Sequence, residues 1–442
     1  MERFLNEKLK IWKNQTARKP LLLKGARQVG KTWLLENFGR LNFKKYLLFD
    51  FTESKELHQI FENNLSPLEL IRDLSVFIRE DIDLSNTLII FDEIQKCSNA
   101  LTSLKYFYKH YPTAYICATG SLLGVGLTMQ DFPVGKVYTL WLYPMCFFEF
   151  LLGIGENYLF KSLQKLEIGK SISKVLHTQT FNVFKQYLIT GGMPEVVFQY
   201  SQLKESPVAA YKQVRNLQKQ LISSYFDDFA KHSGSIKAVK IEAVFKNVPL
   251  QLAREDKTVS KFTFKDVLVR ESNYSNLQGP IEWLVKAGLL HKIQICKKSE
   301  HPLVTFTDQN VFKLYFFDVG LLGAAVFLPP EVIHNYNFGT YKGYLAENFV
   351  LTEMITSGNE PLFGWREKTS EIEFLFTHGE KIIPVEVKSG INTKAKSLKI
   401  YIEKYNPVYS VLLSGTNAHS NSESHLNLPL YLSCLLSKYL DR

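Results

Sequence analysis

The sequence predicts an α/β protein whose first part is a doubly wound parallel sheet. Short apolar runs recur along this part, and longer stretches of helical character, such as Leu68 to Ile82, separate them. Strands that alternate with helices pair in parallel, and such sheets bind ligands at the carboxyl ends of their strands. The runs interpreted as strands are Leu21–Leu23, Tyr46–Phe49, Thr87–Phe91, Ala114–Ala118 and Val137–Trp141.

A glycine-rich loop follows the first of these strands. Residues 25–32 read Gly-Ala-Arg-Gln-Val-Gly-Lys-Thr and match G-x-x-x-x-G-K-[ST] at every fixed position. In such a loop, backbone N–H groups surround phosphates, the lysine reaches the β- and γ-phosphates, and the hydroxyl binds Mg²⁺. The helix that begins there points the positive end of its dipole at the anion. The sequence therefore predicts a site for ATP and Mg²⁺ formed by Gly25, Ala26, Arg27, Gln28, Val29, Gly30, Lys31, Thr32 and Trp33.

Two acidic residues end a later strand, where residues 88–93 read Leu-Ile-Ile-Phe-Asp-Glu. We expect Asp92 to hold Mg²⁺ together with Thr32, and Glu93 to orient or activate the water that attacks the γ-phosphate. The next strand ends in Ala-Thr-Gly-Ser at residues 118–121. Thr119 or Ser121 could sense the γ-phosphate there, and a turn without a ligand is the alternative.

Helices dominate the middle of the chain. The predicted helices are Phe184–Leu188, Ala209–Leu221, Ser223–Phe229, Ala238–Val248, a short one near Thr263, and Asn276–Ala287. Two strand-like runs follow them, Leu289–Ile295 and Leu314–Phe317. Three helices and then a β-hairpin is the order of a winged helix-turn-helix.

Carboxylates on adjacent strands distinguish the last part of the chain. The predicted elements are a helix over Leu345–Ile355, strands over Glu371–Phe376, Lys381–Val387 and Tyr409–Leu413, and a helix after Lys394. Glu373 lies on one strand, and Glu386 and Lys388 lie two residues apart on the next, hence on one face. With Glu347 on the preceding helix, these groups could bind a second divalent metal. A surface ion-pair network is the alternative.

Composition narrows the functional classes. The 442 residues carry a net charge of +10, which favours acidic partners such as DNA or RNA, although a protein that is simply basic is the alternative. Five scattered cysteines without a CxxC pair argue against a disulfide framework and a cysteine-rich zinc site. The apolar segment Val137–Leu152 is shorter than the ~20 residues of a spanning helix, and the N-terminus lacks a signal-peptide core. We expect a cytoplasmic protein that makes no use of a membrane.

The chain as a whole resembles the bacterial and archaeal AAA+-type ATPases of the AAA_14 kind, which carry an uncharacterised C-terminal domain. The motifs that carry this resemblance extend over most of the length and appear in family order. They are Gly25–Thr32, Leu88–Gln95, Ala118–Leu122, Phe132–Val137, Tyr143–Leu151, Gly191–Val197, Trp283–Leu289, Phe317–Leu321, Gly343–Val350 and Ile383–Gly390.

The resemblance implies four parts: a P-loop NTPase core of AAA+ type over residues 1–152, a helical lid over 153–235, a winged helix over 236–330, and an α/β domain similar to PD-(D/E)xK nucleases over 331–442. In the last part Glu347, Glu373, Glu386 and Lys388 fall on the motif positions. The family usually has Asp where this chain has Glu373, whose longer side chain could still reach a metal. The family also often has Arg where this chain has Lys136. If that position acts in catalysis like an arginine finger, the lysine would be a weaker, monodentate substitute for the arginine.

Three functions follow as hypotheses. The leading one is a Mg²⁺-dependent ATPase that couples its nucleotide state to a C-terminal module facing DNA or RNA. A nucleotide-gated scaffold without turnover is the second, and a metal-dependent nuclease regulated by ATP is the third. A homo-oligomer is an open alternative to a monomer in each case.

Overall fold

The structure is a computed structural model that describes residues 1–62, 64–121, 133–167, 170–252, 261–264, 267–268, 274–390, 395–420 and 424–441. It divides into two compact units. The N-terminal unit comprises residues 2–143 with 286–288, and the C-terminal unit comprises Met1, residues 144–285 and residues 289–442.

The N-terminal unit alternates helices with strands, as the apolar runs predict. Its elements are α1 (Leu5–Lys13), β1 (Leu21–Lys24), α2 (Lys31–Asn42), β2 (Lys45–Asp50), α3 (Lys55–Ile60), α4 (Pro67–Ile78), β3 (Thr87–Asp92), α5 (Ser98–His110), β4 (Tyr115–Gly120) and β5 (Tyr138–Trp141). The strands form one five-stranded sheet in the order β2-β3-β4-β1-β5, and every neighbouring pair is parallel. The predicted doubly wound parallel sheet is therefore confirmed.

Strand β3 shows why this sheet forms. All six of its residues are buried, as expected for a strand covered by helices on both faces. Its run of leucine, isoleucine and phenylalanine suits that environment. Because β3 and β4 are parallel, Phe91 lies opposite Ala118, and the polar residues that follow both strands meet at one edge of the sheet.

The C-terminal unit begins with helices and ends with a large sheet. Its elements are α6 (Phe147–Gly153), α7 (Asn157–Gln164), α8 (Lys174–Thr190), α9 (Pro194–Leu203), α10 (Pro207–Ser233), α11 (Ser235–Leu252), α12 (Tyr274–Lys286), β6 (Leu290–Cys296), β7 (Thr307–Phe316), α13 (Val319–Ala325), α14 (Pro330–His334), α15 (Tyr341–Thr356), β8 (Leu362–Glu367), β9 (Ser370–His378), β10 (Lys381–Lys388), α16 (Lys396–Tyr405), β11 (Ser410–Ser414), β12 (His419–Ser420), β13 (His425–Pro429) and α17 (Leu436–Leu440). Among the residues that the structure describes, no helix is both long and apolar enough to cross a bilayer.

One mixed sheet of eight strands runs through this unit in the order β12-β13-β11-β10-β9-β8-β6-β7. The hairpin β6–β7, predicted as the wing of a winged helix, is antiparallel as expected, and β6 also pairs in parallel with β8. Cys296 and Leu303 from the hairpin region pack in the same core as Trp365 and Tyr401. The sheet thus continues across the boundary drawn at 330/331, and the division into four parts remains a proposal.

Two helix predictions in this unit need comment. The separate helices predicted over Ala209–Leu221 and Ser223–Phe229 are one continuous helix, α10, because no glycine or proline interrupts residues 209–229. The short helix predicted near Thr263 falls mostly on residues outside the described ranges. Thr263 itself lies outside any helix, and its N–H donates to Gln251 Oε1 (2.7 Å). The winged helix therefore stays a prediction.

Two glycines explain the tight loop between α8 and α9. Gly192 donates its N–H to Asp318 Oδ2 (2.6 Å) and accepts from the Met145 N–H (2.7 Å), and a Cβ there would lie 2.1 Å from the Met145 carbonyl oxygen. Gly191 has φ +71°, and a Cβ there would meet the Asp318 carboxylate. Burial raises the pKa of Asp318 to about 6, and the N–H groups that it accepts from oppose that rise.

Candidate nucleotide-binding site

The glycine-rich loop connects β1 to α2, as its motif requires. Gly25 has φ +154° and Gly30 has φ +89°, values that residues other than glycine rarely adopt. Gln28 also lies in the left-handed region, with φ +65°. Gly30 is the N-cap of α2, so that helix begins directly at the end of the loop. The helix N-terminus and the loop N–H groups are thus available to one anion.

Lys31 lies inside the loop. Its side chain is buried, and Nζ donates to the carbonyl oxygens of Gly25 (3.1 Å) and Ala26 (2.8 Å). Burial lowers the pKa of Lys31 to about 8, and the carboxylates of Glu93 and Asp92 oppose that shift. The ammonium group therefore lies at the centre of the loop, where an anion would relieve the cost of burying it.

Asp92 joins the loop to the neighbouring strands. Its Oδ2 accepts from the Thr32 hydroxyl (2.7 Å), and its Oδ1 accepts from the Thr119 hydroxyl (2.6 Å) and the Glu93 N–H (3.0 Å). Strand β4 lies between β1 and β3, which brings Thr119 beside Asp92. The structure thus brings together Lys31, Thr32, Asp92 and Thr119 from three separate segments.

Glu93 follows Asp92 at the carboxyl edge of the sheet. Its backbone lies in the left-handed region, with φ +49°, directly after the last residue of β3. Its Oε2 accepts from Gln95 Nε2 and lies 3.5 Å from Ser121 Oγ. Ser121, which the sequence offers with Thr119 as a γ-phosphate sensor, lies beside the predicted base. Gln95 is a neighbour of Glu93 that the sequence did not single out, although it ends the Leu88–Gln95 motif.

The other predicted loop residues differ in exposure. Ala26 and Val29 are buried, whereas Arg27 and Gln28 are exposed. Trp33, in the first turn of α2, is 45% exposed, which leaves its ring accessible to a ligand at the helix start.

Lys136 does not lie with the loop of its own chain. Strand β5 runs parallel to β1, with Tyr138 opposite Leu21 and Trp141 opposite Lys24. The loop follows Lys24, whereas Lys136 precedes Tyr138, so the two are at opposite edges of the sheet. The Lys136 side chain is exposed, with Nζ 5.6 Å from the centre of the Tyr108 ring. A catalytic role for Lys136 would therefore require a site on another molecule.

The residues at the loop fit a magnesium ion. Thr32 and Asp92 offer a hydroxyl and a carboxylate oxygen, and Mg²⁺ prefers oxygen ligands. Mg²⁺ is usually held by one or two carboxylates, with phosphates and waters as its other ligands. A pair of adjacent oxygen ligands is therefore what a nucleotide-bound magnesium ion needs from the protein.

The predicted carboxylates of the last part also meet, on the face of β9 and β10. Lys388 Nζ lies 2.7 Å from Glu386 Oε1 and 4.0 Å from Glu373 Oε1. Glu373 Oε2 accepts from the Val387 N–H (3.0 Å). Burial raises the pKa of Glu373 to about 8. The negative charges of Glu347 and Glu386 contribute to the rise, and the positive charge of Lys388 opposes it.

A second lysine, which the sequence analysis did not find, completes this cluster. Lys313 of β7 lies 2.5 Å from Glu371 Oε1 and 3.5 Å from Glu347 Oε2, and it is mostly buried. Burial lowers the pKa of Lys313, but the carboxylates of Glu347 and Glu371 outweigh this effect and raise the pKa well above its ordinary value. Lys313 therefore carries a positive charge between the two carboxylates.

These carboxylates, as arranged, do not fit a metal ion. Glu386 Oε2 accepts from the Leu398 N–H (2.7 Å), and Glu347 Oε2 accepts from the Tyr315 hydroxyl (3.2 Å). Each of the three carboxylates thus already contacts a protein donor or a lysine. Within the described ranges, no group of three or more His, Cys, Asp or Glu side chains is placed to hold a metal. The observed arrangement is an ion-pair network that is largely buried, whereas the alternative drawn from the sequence was a network on the surface.

Three solved structures show some similarity to this chain. PCH-2 of C. elegans is 13% identical with a TM-score of 0.28, and the alignment covers 48% of this chain and 63% of that chain. Drosophila ORC bound to DNA is 14% identical with a TM-score of 0.27, and the alignment covers 73% of this chain and 94% of that chain. The Thermotoga maritima RuvB Holliday junction branch migration motor is 13% identical with a TM-score of 0.31, and the alignment covers 65% of this chain and 88% of that chain. The chain spans less than two thirds of PCH-2. No curated protein matches the sequence.

Family models match three segments of the chain. Residues 182–331 match a domain of unknown function, DUF8612, and residues 342–432 match another, DUF4143. Residues 17–151 match AAA_14, described as an AAA domain. That segment contains the loop, Asp92, Glu93 and Thr119, so the family match and the site geometry agree on an AAA-type nucleotide-binding domain in this part of the chain.

Proposed function

We propose that this chain binds ATP with Mg²⁺ in the loop 25–32 and hydrolyses it. The observation that carries the proposal is the hydrogen bond between Thr32 and Asp92, with the Lys31 ammonium in the same loop. A hydroxyl, a carboxylate and a lysine in this arrangement are the groups that magnesium and the β- and γ-phosphates require. The AAA_14 match over residues 17–151 supports the same assignment.

In the proposed reaction, Lys31 leaves the carbonyl oxygens of Gly25 and Ala26 and contacts the β- and γ-phosphates. Glu93 accepts a proton from a water molecule while the oxygen of that water attacks the γ-phosphorus. The bond from that phosphorus to the bridging oxygen breaks, and ADP and phosphate leave. Thr119 holds Asp92 by its hydroxyl, so it acts through Asp92.

Glu93→Gln tests the role of Glu93 separately from binding. We expect the variant to bind ATP as the wild type does, since Glu93 is not a phosphate contact, while kcat falls about 10²- to 10⁴-fold. Nucleotide titration and a phosphate-release assay measure the two quantities. Gln95→Ala is an informative companion, because it removes the amide that holds the Glu93 carboxylate and leaves the acid in place. Unchanged turnover in Glu93→Gln would remove Glu93 from the reaction.

We further propose that the nucleotide state is coupled to binding of DNA or RNA by the C-terminal unit. The net charge of +10 supports an acidic partner. ATP turnover measured with and without DNA or RNA, at low and moderate salt, tests the coupling. Stimulation that falls with salt supports it, and turnover independent of both nucleic acids contradicts it.

A nucleotide-gated scaffold is the second candidate, and the ion-pair network around Lys313 favours it over a nuclease. Both lysines of that network neutralise carboxylates that a nuclease would need for a metal. Under this alternative the C-terminal unit binds a partner without cleaving it. Cleavage of a DNA or RNA substrate that requires Mn²⁺ or Mg²⁺ and is lost in Glu386→Gln would contradict the scaffold.

A further inference from the structure

Arg3 is a buried arginine that contacts the glycine-rich loop. Its side chain is 4% exposed, although it precedes α1 near the start of the sequence. Nη1 donates to the carbonyl oxygen of Val29 (3.0 Å), and Nη2 donates to the carbonyl oxygen of Tyr143. A buried guanidinium is costly unless its donors are used, so these hydrogen bonds determine where it lies. Arg3 therefore connects the loop to the segment that follows β5.

The same segment also contacts the start of the loop. The Leu142 N–H donates to the Lys24 carbonyl oxygen (2.8 Å), which extends the pairing of β5 with β1. Gly25 lies so close that a Cβ there would be 2.2 Å from the Leu142 carbonyl oxygen. Residues 142 and 143 thus support the loop at both ends, directly at Gly25 and through Arg3 at Val29.

The hydrogen bond to Val29 sets the orientation of one peptide group. In a trans peptide the C=O and the following N–H point in opposite directions. The Val29–Gly30 peptide is trans, so its Gly30 N–H points away from the Arg3 guanidinium. Loops of this type bind phosphate through such N–H groups. A peptide turned the other way would direct a carbonyl oxygen at the phosphate, which is repulsive.

We propose that Arg3 is a positioning residue that holds the Val29–Gly30 peptide with its N–H directed at the bound phosphates. This inference rests on the proposed nucleotide site at residues 25–32. Arg3 acts through the Val29 carbonyl and does not contact the nucleotide. A lysine at the same position carries the charge but lacks the fork that bridges two carbonyl oxygens.

Arg18 provides a matched control in the same unit. It is also buried, at 6% exposure, and it donates to the carbonyl oxygens of Thr113 (2.6 Å) and Gln15 (2.6 Å), neither of which belongs to the loop. Arg3→Met and Arg18→Met each leave backbone carbonyls without their donor. Both should lose thermal stability, but only Arg3→Met should change nucleotide binding.

The experiment compares the Kd for a fluorescent ATP analogue in the full-length wild type, Arg3→Met, Arg3→Lys and Arg18→Met. We expect the Kd to rise about tenfold in Arg3→Met, as for the loss of one buried hydrogen bond, and to rise less in Arg3→Lys. The Kd of Arg18→Met should stay within about twofold of the wild type, the usual size of a distant effect. In turnover assays the KM of Arg3→Met should rise while kcat changes little.

Equal Kd values in Arg3→Met and the wild type, with both proteins folded, would overturn the inference. So would equal increases in Arg3→Met and Arg18→Met, since those would reflect a general loss of stability. If Arg3→Met does not fold, the Kd of Arg3→Lys is compared with that of Arg18→Met. A larger rise in Arg3→Lys supports the inference, and equal Kd values overturn it. Failure of the proposed function gives a different result, namely no binding of the analogue by the wild type or equal binding by Lys31→Ala.

Discussion

The Thr32 hydroxyl donates a hydrogen bond of 2.7 Å to the Asp92 carboxylate, between residues 60 positions apart in the sequence. The bond joins the start of α2 to the end of β3. Thr119 holds the other oxygen of the same carboxylate at 2.6 Å. The two residues expected to bind magnesium are therefore adjacent, and one of them is already oriented by a neighbouring strand.

Thr32→Ala should weaken the dependence of ATP binding on magnesium. Removal of the hydroxyl takes away one of the two protein oxygens at the proposed metal position, so the affinity for ATP in Mg²⁺ should fall about tenfold or more. In EDTA, the affinities of the variant and the wild type should be equal. Thr32→Ser keeps the hydroxyl and should behave like the wild type. Isothermal titration with and without Mg²⁺ measures this, and an equal loss in EDTA would contradict the metal role.

Glu353 is a buried acid that ties α15 to α6. Its Oε1 accepts from the Phe147 N–H (2.8 Å). Burial raises the pKa of Glu353 to about 8, against the effect of that hydrogen bond and with a further rise from Glu149. The titratable groups that face it are Cys146, Glu149, Tyr187 and Cys434. Burial raises the pKa of both thiols and of Tyr187 well above their ordinary values, so those three stay neutral near pH 7.

Glu353→Gln should remove a pH dependence of stability. The folded protein keeps the Glu353 proton up to about pH 8, whereas the unfolded chain releases it near pH 4.5. Between these values the folded state binds more protons, so the free energy of unfolding falls as the pH rises, by an amount on the order of a few kcal/mol. Glutamine is neutral throughout. The variant should therefore gain stability relative to the wild type from pH 5 to pH 8 in urea melts, and parallel curves would contradict this.

Gly192→Ala should be strongly destabilising. A Cβ at this position would lie 2.1 Å from the Met145 carbonyl oxygen, which is backbone and has little freedom to move. Overpacking of this kind should cost roughly 3 kcal/mol or more. Gly343 in α15 is the control, since a Cβ there has no atom within 4 Å, and Gly343→Ala should be neutral or stabilising. Equal melting temperatures for the two variants would contradict the packing argument.

Lys313→Met should destabilise the C-terminal unit. Removal of the ammonium leaves the partly buried Glu347 and Glu371 without their shared partner, and loss of one side of a buried ion pair costs up to roughly 3–5 kcal/mol. Lys297 pairs with Asp308 at 2.7 Å, but both side chains are largely exposed, so Lys297→Met should change stability by less than about 1 kcal/mol. Chemical denaturation of both variants checks this. A small effect of Lys313→Met would mean that the network contributes little.

Local spacing predicted which segments of the N-terminal unit meet. The loop has fixed positions, and an apolar strand that ends in Asp92 and Glu93 must deliver both acids to the carboxyl edge of a parallel sheet. Gly25 to Thr32 and Asp92 therefore meet as expected. Arg3 could not be predicted, because its partner Val29 is 26 positions away and a single arginine before a helix has no distinguishing pattern.

Prediction was weaker in the C-terminal unit for a different reason. The sequence pattern of β6 and β7 predicts a hairpin, but it does not predict which strand pairs with the edge of that hairpin. In the structure, β6 pairs with β8. The same pairing brings Lys313 of β7 to Glu371 of β9, so the neutralised cluster depends on sheet order. Strand alternation placed Glu386 and Lys388 on one face of β10, but it did not reveal Lys313 between Glu347 and Glu371.

ATP turnover by the full-length wild type and by Lys31→Ala, with Mg²⁺ present, tests the central claim most directly. Lys31 is the ammonium at the centre of the loop, so its removal should lower kcat/KM by about 10²-fold or more without a comparable loss of thermal stability. We predict measurable phosphate release by the wild type and near-background release by the variant. Equal release by the two proteins would contradict the assignment of residues 25–32 as the site of ATP hydrolysis.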